Sequence, residues 1–491
     1  MKKGSVFFRN RNFKYGAVSV IITIAVIFLI ILLNVVLTFL FKKYPLNIDL
    51  TKNRVFGISK ETEIILASLE KDVTIYVMNT EQNFIMTSPQ DYFIQANEVL
   101  KKYAQYSSRV RVEYVDLIRY PDFASRYPGE EINMNDVIVS SAGNSDVKYK
   151  IIYPSELFNI FNSDYGSYVA SSRAEQALTS AVLHVTGEKE FIISVISGHG
   201  IQDIISFLEL LSLNNYRIAD INLLTGEIPL ETSILILADP FRDLSLEELR
   251  KIDAFLEGGD ARVFFYIASV MQGELPNIAE FLGEWGIAVD SGIVFETDNK
   301  RLISPSPYIA FTEYSETKFS HNMIQRNLQP LIAQSRPLRA LYDEFRSRYV
   351  TELLKFSPYS GIRPANAPGD WAPSSSFITG NVPALLLSTQ SRYDADRNFM
   401  NTHVLTLGSI LALEETTLGN PYVANSSYFL DLLGDLTGRE DLHYISDKII
   451  GFTELNAAYS QVIVMIIIFV IVIPLAVLGA AAAVWFRRWH K

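Results

Sequence analysis

Phe191-Ile-Ile-Ser-Val-Ile196, followed at once by Ser197-Gly-His-Gly200 and then by Ile201, Ile204, Ile205, Leu208 and Leu211, decides the fold of the larger part of this chain. A short, nearly continuous apolar run fits a strand buried on both faces, and the isoleucines and leucines after it recur at helical spacing. The pattern repeats downstream. Ser233-Ile-Leu-Ile-Leu-Ala238 is a second apolar strand, closed by Asp239-Pro240, and Ile218–Ile221 is a short one between them. Ser245 and Glu248 form a capping box at the start of a helix that ends at Gly258-Gly259, and Ala261–Ile267 is the next strand. Apolar strands alternating with amphipathic helices imply an α/β fold whose parallel sheet is covered on both faces.

Upstream, Val73–Met78 and Val110–Leu117 read as strands on either side of a helix from about Gln90 to Tyr106, with Phe93, Ala96, Val99, Leu100 and Tyr103 on one face. Strand, helix and strand of these lengths make a βαβ unit with a right-handed crossover. Ser59 caps a short helix before it, with Thr62 where a full capping box has Glu. Asp136–Ser140 and Val147–Ile152 flank Ser141-Ala-Gly-Asn-Ser145, a hairpin signal, and Arg173–Thr186 is a helix leading to the next domain. This order fits a thioredoxin-like domain over residues 46–172 or another small α/β sandwich. Either way the chain has no cysteine, so the redox dithiol of such folds is absent.

The second domain spans residues 173–450. Its periodicity fades after Ser291, and Lys300–Pro368 reads as long excursions or an inserted lobe. Order returns in the strand-like Ala384–Ser388 and Asn401–Leu407, and Asn425–Leu436 resembles a capped amphipathic helix.

The chain is 491 residues long, 49% hydrophobic and 20% charged. Tyr15–Phe41 and Val462–Phe486 contain no charged residue, and about 20 apolar residues suffice to cross a bilayer. Both runs are therefore expected to be membrane helices; the first is too long for a signal-peptide core and exits into Lys42-Lys43. Lys2, Lys3, Arg9, Arg11 and Lys14 precede the first run, and Arg487, Arg488 and Lys491 follow the second. By the positive-inside rule the tails 1–14 and 487–491 are cytoplasmic and the body lies outside the cell membrane. Residues 1–43 and 461–491 hold ten basic residues and no acidic one, so the chain's net charge of −11 becomes −21 for the segment between them. Nucleic acid is an unfit partner for so acidic a body, whereas the lipid bilayer is an expected one.

Open α/β sheets bind ligands at the carboxyl ends of their strands. The candidate ligand or interaction turn is therefore Gly198, His199 and Gly200, together with Asp239. Helix-start amides beyond Gly200 could hold an anion; equally, the glycines permit a tight turn that His199 merely packs or caps. No P-loop, Gly-x-Ser-x-Gly elbow or GxGxxG fingerprint is present, and the six histidines lack metal-ligand spacing. No catalytic, cofactor or metal residue is assigned, and a non-enzymatic protein without a cofactor is expected.

Several motifs in series resemble those of the GldG-like auxiliary proteins of ABC transporters, a family named for gliding motility. They are Asn47-Ile-Asp-Leu-Thr-Lys-Asn-Arg54, Ser59, Val73-Thr-Ile-Tyr-Val77, Ser197-Gly-His-Gly200, Ile228-Pro229, Asp239-Pro240, Leu244-Ser245, Glu247-Glu248-Leu249 and Gly258-Gly259. The resemblance covers nearly the whole chain except Lys300–Pro368. It implies a subunit partnered by an ABC permease and a cytoplasmic ATPase, with a second domain of the flavodoxin-related, glutamine-amidotransferase-like kind lacking the catalytic cysteine. The family supplies no catalytic residues. Other readings are a membrane-anchored enzyme acting on an envelope carbohydrate polymer through His199 and Asp239, and a structural or adhesion scaffold.

Overall fold

In a computed structural model of the protein, residues 55–450 are described except 142–147, 164–165, 188–189, 201–203, 395, 421, 440–444 and 446, along with positions 24, 27, 28, 31, 32, 34, 35 and 479. The chain divides into two compact units, Met1–Gly57 and Ile58–Lys491. Most of 15–41 and 462–486, the expected membrane spans, lies outside the described residues. Within the first unit Ile24, Ile27, Phe28, Ile31, Leu32 and Val35 are helical and exposed. Among the described residues no helix is long and apolar enough to cross a membrane.

The second unit is mixed α/β and holds two principal sheets. The smaller comprises β1 (Val73–Val77), β2 (Val110–Tyr114), β3 (Val137–Ser141) and β4 (Tyr149–Ile152) in the order β2-β1-β3-β4. β1 and β2 are parallel, while β3 and β4 run antiparallel to their neighbours, as a βαβ unit followed by a hairpin requires. Alternate residues of β1 are buried; Val73, Ile75 and Val77 pack against helices α1 (Lys60–Ala67), α2 (Gln90–Tyr106) and α3 (Ala174–Thr186). Ala177, Leu178, Ala181 and Val182 put α3 in the core of this first sheet, although its sequence position reads as a link to the second. A two-stranded ribbon, β5 (Phe158–Ser163) and β6 (Gly166–Ser172), precedes α3.

The larger sheet carries β7 (Phe191–Ile196), β8 (Tyr216–Ile221), β9 (Thr232–Ala238), β10 (Arg262–Ile267), β11 (Arg348–Lys355), β12 (Pro383–Tyr393) and β13 (Phe399–Leu407), in the order β11-β12-β13-β10-β9-β7-β8, and the two-residue strands Glu313–Tyr314 and Glu344–Phe345 both pair with β11. From β13 to β8 the pairing is parallel, as the apolar runs predict. β12 and β11 are antiparallel, so the sheet is mixed rather than purely parallel. The reason is the short connection from Tyr393 to Phe399, which can join only antiparallel neighbours. One face packs on α4 (Ile205–Leu213) and α7 (Asn425–Leu436) through Phe207, Phe265 and Phe429. The other packs on α5 (Leu246–Glu257) and α6 (Pro276–Glu284) through Ile252, Phe264 and Phe281. Side chains from successive residues of a strand thus fill two cores, each fully buried aliphatic contributing about 1.5–3 kcal/mol.

Two local expectations change, and one helix end holds. The region 300–368 is not only excursion, because Arg348–Lys355 enters the large sheet and buries Leu353 and Leu354. α5 ends at Gly258, as the sequence predicts, with that residue at φ −78° in the right-handed region. A Cβ on Gly258 would lie 2.6 Å from Arg262 Nη1, which shows what its missing side chain permits: the Arg262 guanidinium passes across it to the Phe255 carbonyl. Finally, Asn425 opens α7 without capping it; its amide instead receives the Leu331 N–H at 2.8 Å and donates to the Leu331 and Ala412 carbonyls.

Candidate functional site

The turn after β7 starts where Ser197 N donates to the Ile221 carbonyl at 2.8 Å. Gly198 (φ +96°) and Gly200 (φ +73°) take left-handed conformations that a side chain would strain. A Cβ at Gly198 would also come within 3.0 Å of Asn222 Nδ2. Between them the backbone turns the His199 side chain inward, where it is 4% exposed. Its Nε2 lies 2.8 Å from Glu248 Oε1 and its Nδ1 3.1 Å from the Arg242 carbonyl. The His199 carbonyl accepts from Phe241 N at 2.9 Å and Arg242 N at 3.2 Å. His199 therefore staples the turn after β7 to the segment after β9, and no ring nitrogen is left for a substrate.

Glu248 serves two structures at once. Its Oε2 receives the Ser245 backbone N–H at 2.8 Å and the Ser245 hydroxyl at 2.9 Å, completing the capping box expected from the sequence. Burial pushes its pKa up, but the Ser245 N–H, the His199 ring and the Ser245 hydroxyl outweigh burial and hold it below the usual glutamate value. α4 begins only at Ile205, with Ile204 at its N-cap position and no side-chain cap. The helix start expected directly after Gly200 is thus displaced from His199.

Asp239, at the carboxyl end of β9, is the chemically unspent group. It sits at φ +39° and 0% exposure, its backbone N–H donates to the Ile267 carbonyl at 2.7 Å, and neither carboxylate oxygen has a well-formed hydrogen bond. Burial pushes its pKa up; the Ser269 hydroxyl and the Arg336 guanidinium oppose that shift. Nearby, Tyr266 donates to Gln272 Oε1 at 2.9 Å, and Gln272 Nε2 donates to the Pro240 carbonyl at 3.3 Å. Arg336 donates to the Asp290 carbonyl at 3.1 Å, and its backbone N–H to the Gly408 carbonyl at 2.8 Å. Gly408 is needed for that approach, because a Cβ there would lie 2.6 Å from the Arg336 carbonyl oxygen.

Asp239 and His199 thus belong to neighbouring turns of one sheet edge, but the histidine bonds to Glu248 and not to the aspartate. Sequence reasoning missed Ser269, Gln272 and Arg336. Arg336 arrives from the aperiodic region, where no local pattern marks it, and Gln272 lies in a loop just past β10. Among the described residues no group of three or more His, Cys, Asp or Glu could hold a metal ion. The arrangement offers a buried carboxyl, Asp239, beside the Ser269 hydroxyl and the Arg336 cation.

Residues 52–159 match a domain family of unknown function, DUF7088. The fold is similar to the solved "mmIFT52 N-terminal domain", at 15% identity over 52% of this chain and 100% of that one, with a TM-score of 0.36. It is also similar to a glutamine amidotransferase from Thermotoga maritima, at 12% identity over 52% of this chain and 87% of that one, with a TM-score of 0.26. Comparison with curated proteins gives no match.

Proposed function

We propose that this chain is a non-enzymatic, membrane-tethered accessory subunit of an ABC-type transport system. Its acidic body, a thioredoxin-like domain followed by a glutamine-amidotransferase-like one, docks, senses or gates outside the membrane beside a permease and its ATPase. The observation that carries this reading is the convergence of both ends of the body on one carboxylate. Glu175 Oε1 accepts the Ser59 backbone N–H at 2.6 Å, and Glu175 Oε2 pairs with Lys448 Nζ at 2.6 Å. Ser59 follows the first apolar run and Lys448 precedes the second. A body held at both ends by one bilayer needs its two attachment points side by side, and this geometry supplies that.

Further support comes from Ile24, Ile27, Phe28, Ile31, Leu32 and Val35, which are helical and exposed and suit contact with lipid, and from the GldG-like motif series. The His199 ring, fully engaged with Glu248 and Arg242, favours docking over catalysis. The test is purification of the tagged full chain in a mild detergent. An ABC permease and an ATPase are expected to co-purify in fixed ratio; recovery of the chain with neither would overturn the reading. Single cysteines introduced into this cysteine-free chain report the topology independently, with 100–450 labelled from outside and both tails protected.

A further inference from the structure

A second feature of the body owes nothing to the turn at His199 and does not depend on the transport reading. The terminal strand of each sheet, β4 and β8, faces a common cleft of about 480 Å³ closed by the end of α3. Bonds from α3 to the turn before β8 fix its floor: Asn215 Nδ2 donates to the Ser180 carbonyl at 2.7 Å, and Gln176 Nε2 to Asn214 Oδ1 at 3.3 Å. Asn215 takes φ +63°, which turns the chain from α4 into β8 at this junction. The cleft volume lies in the range of small-molecule sites.

Its charge is opposite to that of the body around it. Lys148, Lys150, Arg217 and Arg439 line it with His184, and Glu190, the one acid among the described lining residues, lies 3.7 Å from Arg217 Nε as an exposed, loose ion pair. Lys150 Nζ donates to Asn215 Oδ1 at 2.9 Å and Lys148 Nζ to the Gly187 carbonyl at 2.9 Å; among the described residues neither lysine has a carboxylate partner. Arg439 donates to the Asn214 carbonyl at 2.7 Å and lies over the Tyr216 ring at 4.7 Å. Burial disfavours the Lys150 ammonium, Glu156 opposes that, and Arg439 adds to it. His184 is likewise held low, by burial and then by Lys150 and Lys148, against Glu190. The free cleft therefore concentrates positive charge at a cost that a bound anion would relieve.

We propose that this cleft binds a small polyanion of the phosphate-ester class, with its phosphoryl oxygens held by Lys148, Lys150 and Arg217 above Arg439. A monocarboxylate brings one charge for the two lysines, whereas a phosphoryl group carries close to two negative charges and several acceptor oxygens. A long nucleic acid does not fit, because the surface beyond the cleft is acidic and would repel it.

The test is calorimetric titration of the purified full chain at constant ionic strength with two probes, glucose 6-phosphate for a soluble ester and glycerol 3-phosphate for a lipid headgroup. Saturable binding of either supports the proposal, and the stronger probe assigns the source. Lys150→Met is expected to weaken binding by about tenfold or more, as loss of a charge-assisted contact does. Arg217→Gln, exposed and outside any core, is expected to weaken it severalfold, while the distant Lys60→Met leaves it unchanged. Circular dichroism confirms folding of each variant. Absence of saturable binding to both probes, or equal binding by Lys150→Met, Arg217→Gln and Lys60→Met, overturns the proposal.

Discussion

Lys448 and Glu175 form an ion pair, Nζ 2.6 Å from Oε2, with side chains only 12% and 3% exposed. The residues are far apart in sequence, and the pair is reinforced from both sides. Lys448 also pairs through its backbone with Ser172, N to O at 2.9 Å and O to N at 2.8 Å, while Asp447 accepts from Ser171 Oγ at 2.6 Å and Arg173 Nε at 3.2 Å. Glu175 in turn accepts from Thr62 Oγ1 at 2.7 Å. The end of the body is thereby laced to its beginning through α3.

Glu175→Ala would leave the Lys448 ammonium poorly solvated and the Ser59 N–H and Thr62 hydroxyl without their acceptor. The expected cost is about 3–5 kcal/mol, the usual penalty for stripping one partner from a buried pair. Lys448→Met should cost less, because the backbone pairing to Ser172 survives and methionine fills the same space. Urea unfolding of both single variants and the double variant checks this; additivity of the two effects would remove the claimed coupling.

The link between His199 and Glu248 gives a second prediction. Glu248→Gln keeps the shape but loses the charge-assisted bonds to His199 and Ser245, and should destabilise by about 1–3 kcal/mol. Because the folded-state pKa of Glu248 lies below the ordinary 4.5, its contribution is present above pH 4.5 and is lost as the pH falls through the folded value. The urea midpoint of the parent chain should therefore drop below pH 4.5, with a smaller drop in Glu248→Gln. Equal acid profiles for the two would show that the clasp carries no electrostatic stabilisation.

What the sequence made legible follows the range of the interactions. Strand Phe191–Ile196 and helix Gln90–Tyr106 have the bounds read from periodicity, because burial on two faces or on one stripe writes itself locally. The Ser245–Glu248 capping box is likewise a matter of spacing. Glu248's second task, holding His199 from 49 positions away, has no local signature. The same holds for Arg336, and for β11, whose Arg348-Tyr-Val-Thr-Glu-Leu-Leu-Lys355 mixes polar and apolar residues. Its antiparallel pairing with β12 on one side, and with Glu313–Tyr314 and Glu344–Phe345, makes that segment a strand.

His403, in β13, yields a pH effect of a different origin. Its Nδ1 lies 2.9 Å from Thr389 Oγ1 on β12, and burial, followed by Lys318 and against Asp260, pushes its pKa down to about 4. The unfolded ring takes up a proton near 6.5 while the folded one stays neutral, so the unfolded state binds more protons in between. Stability should decline as the pH is lowered from 6.5 towards 4. His403→Gln keeps a polar partner for Thr389 without titrating, and its unfolding midpoint should be flatter across that window. An unchanged slope would assign the acid sensitivity elsewhere.

Asp239 presents the reverse case. Burial raises its pKa, with Ser269 and Arg336 opposing, and its two oxygens lack well-formed hydrogen bonds. For a group raised in the folded state, the favourable contribution is full below the ordinary value of 3.8 and disappears as the pH climbs through the folded value. At neutral pH the buried carboxylate is therefore a burden. Asparagine tolerates the left-handed φ of +39° and carries no charge, so Asp239→Asn should stabilise the body by about 1–3 kcal/mol at pH 7 and by less at pH 4. If urea unfolding instead shows Asp239→Asn to be less stable at pH 7, the attraction of Arg336 exceeds the cost of burial, and Asp239 is a structural anchor of the sheet edge, not a carboxyl held in reserve.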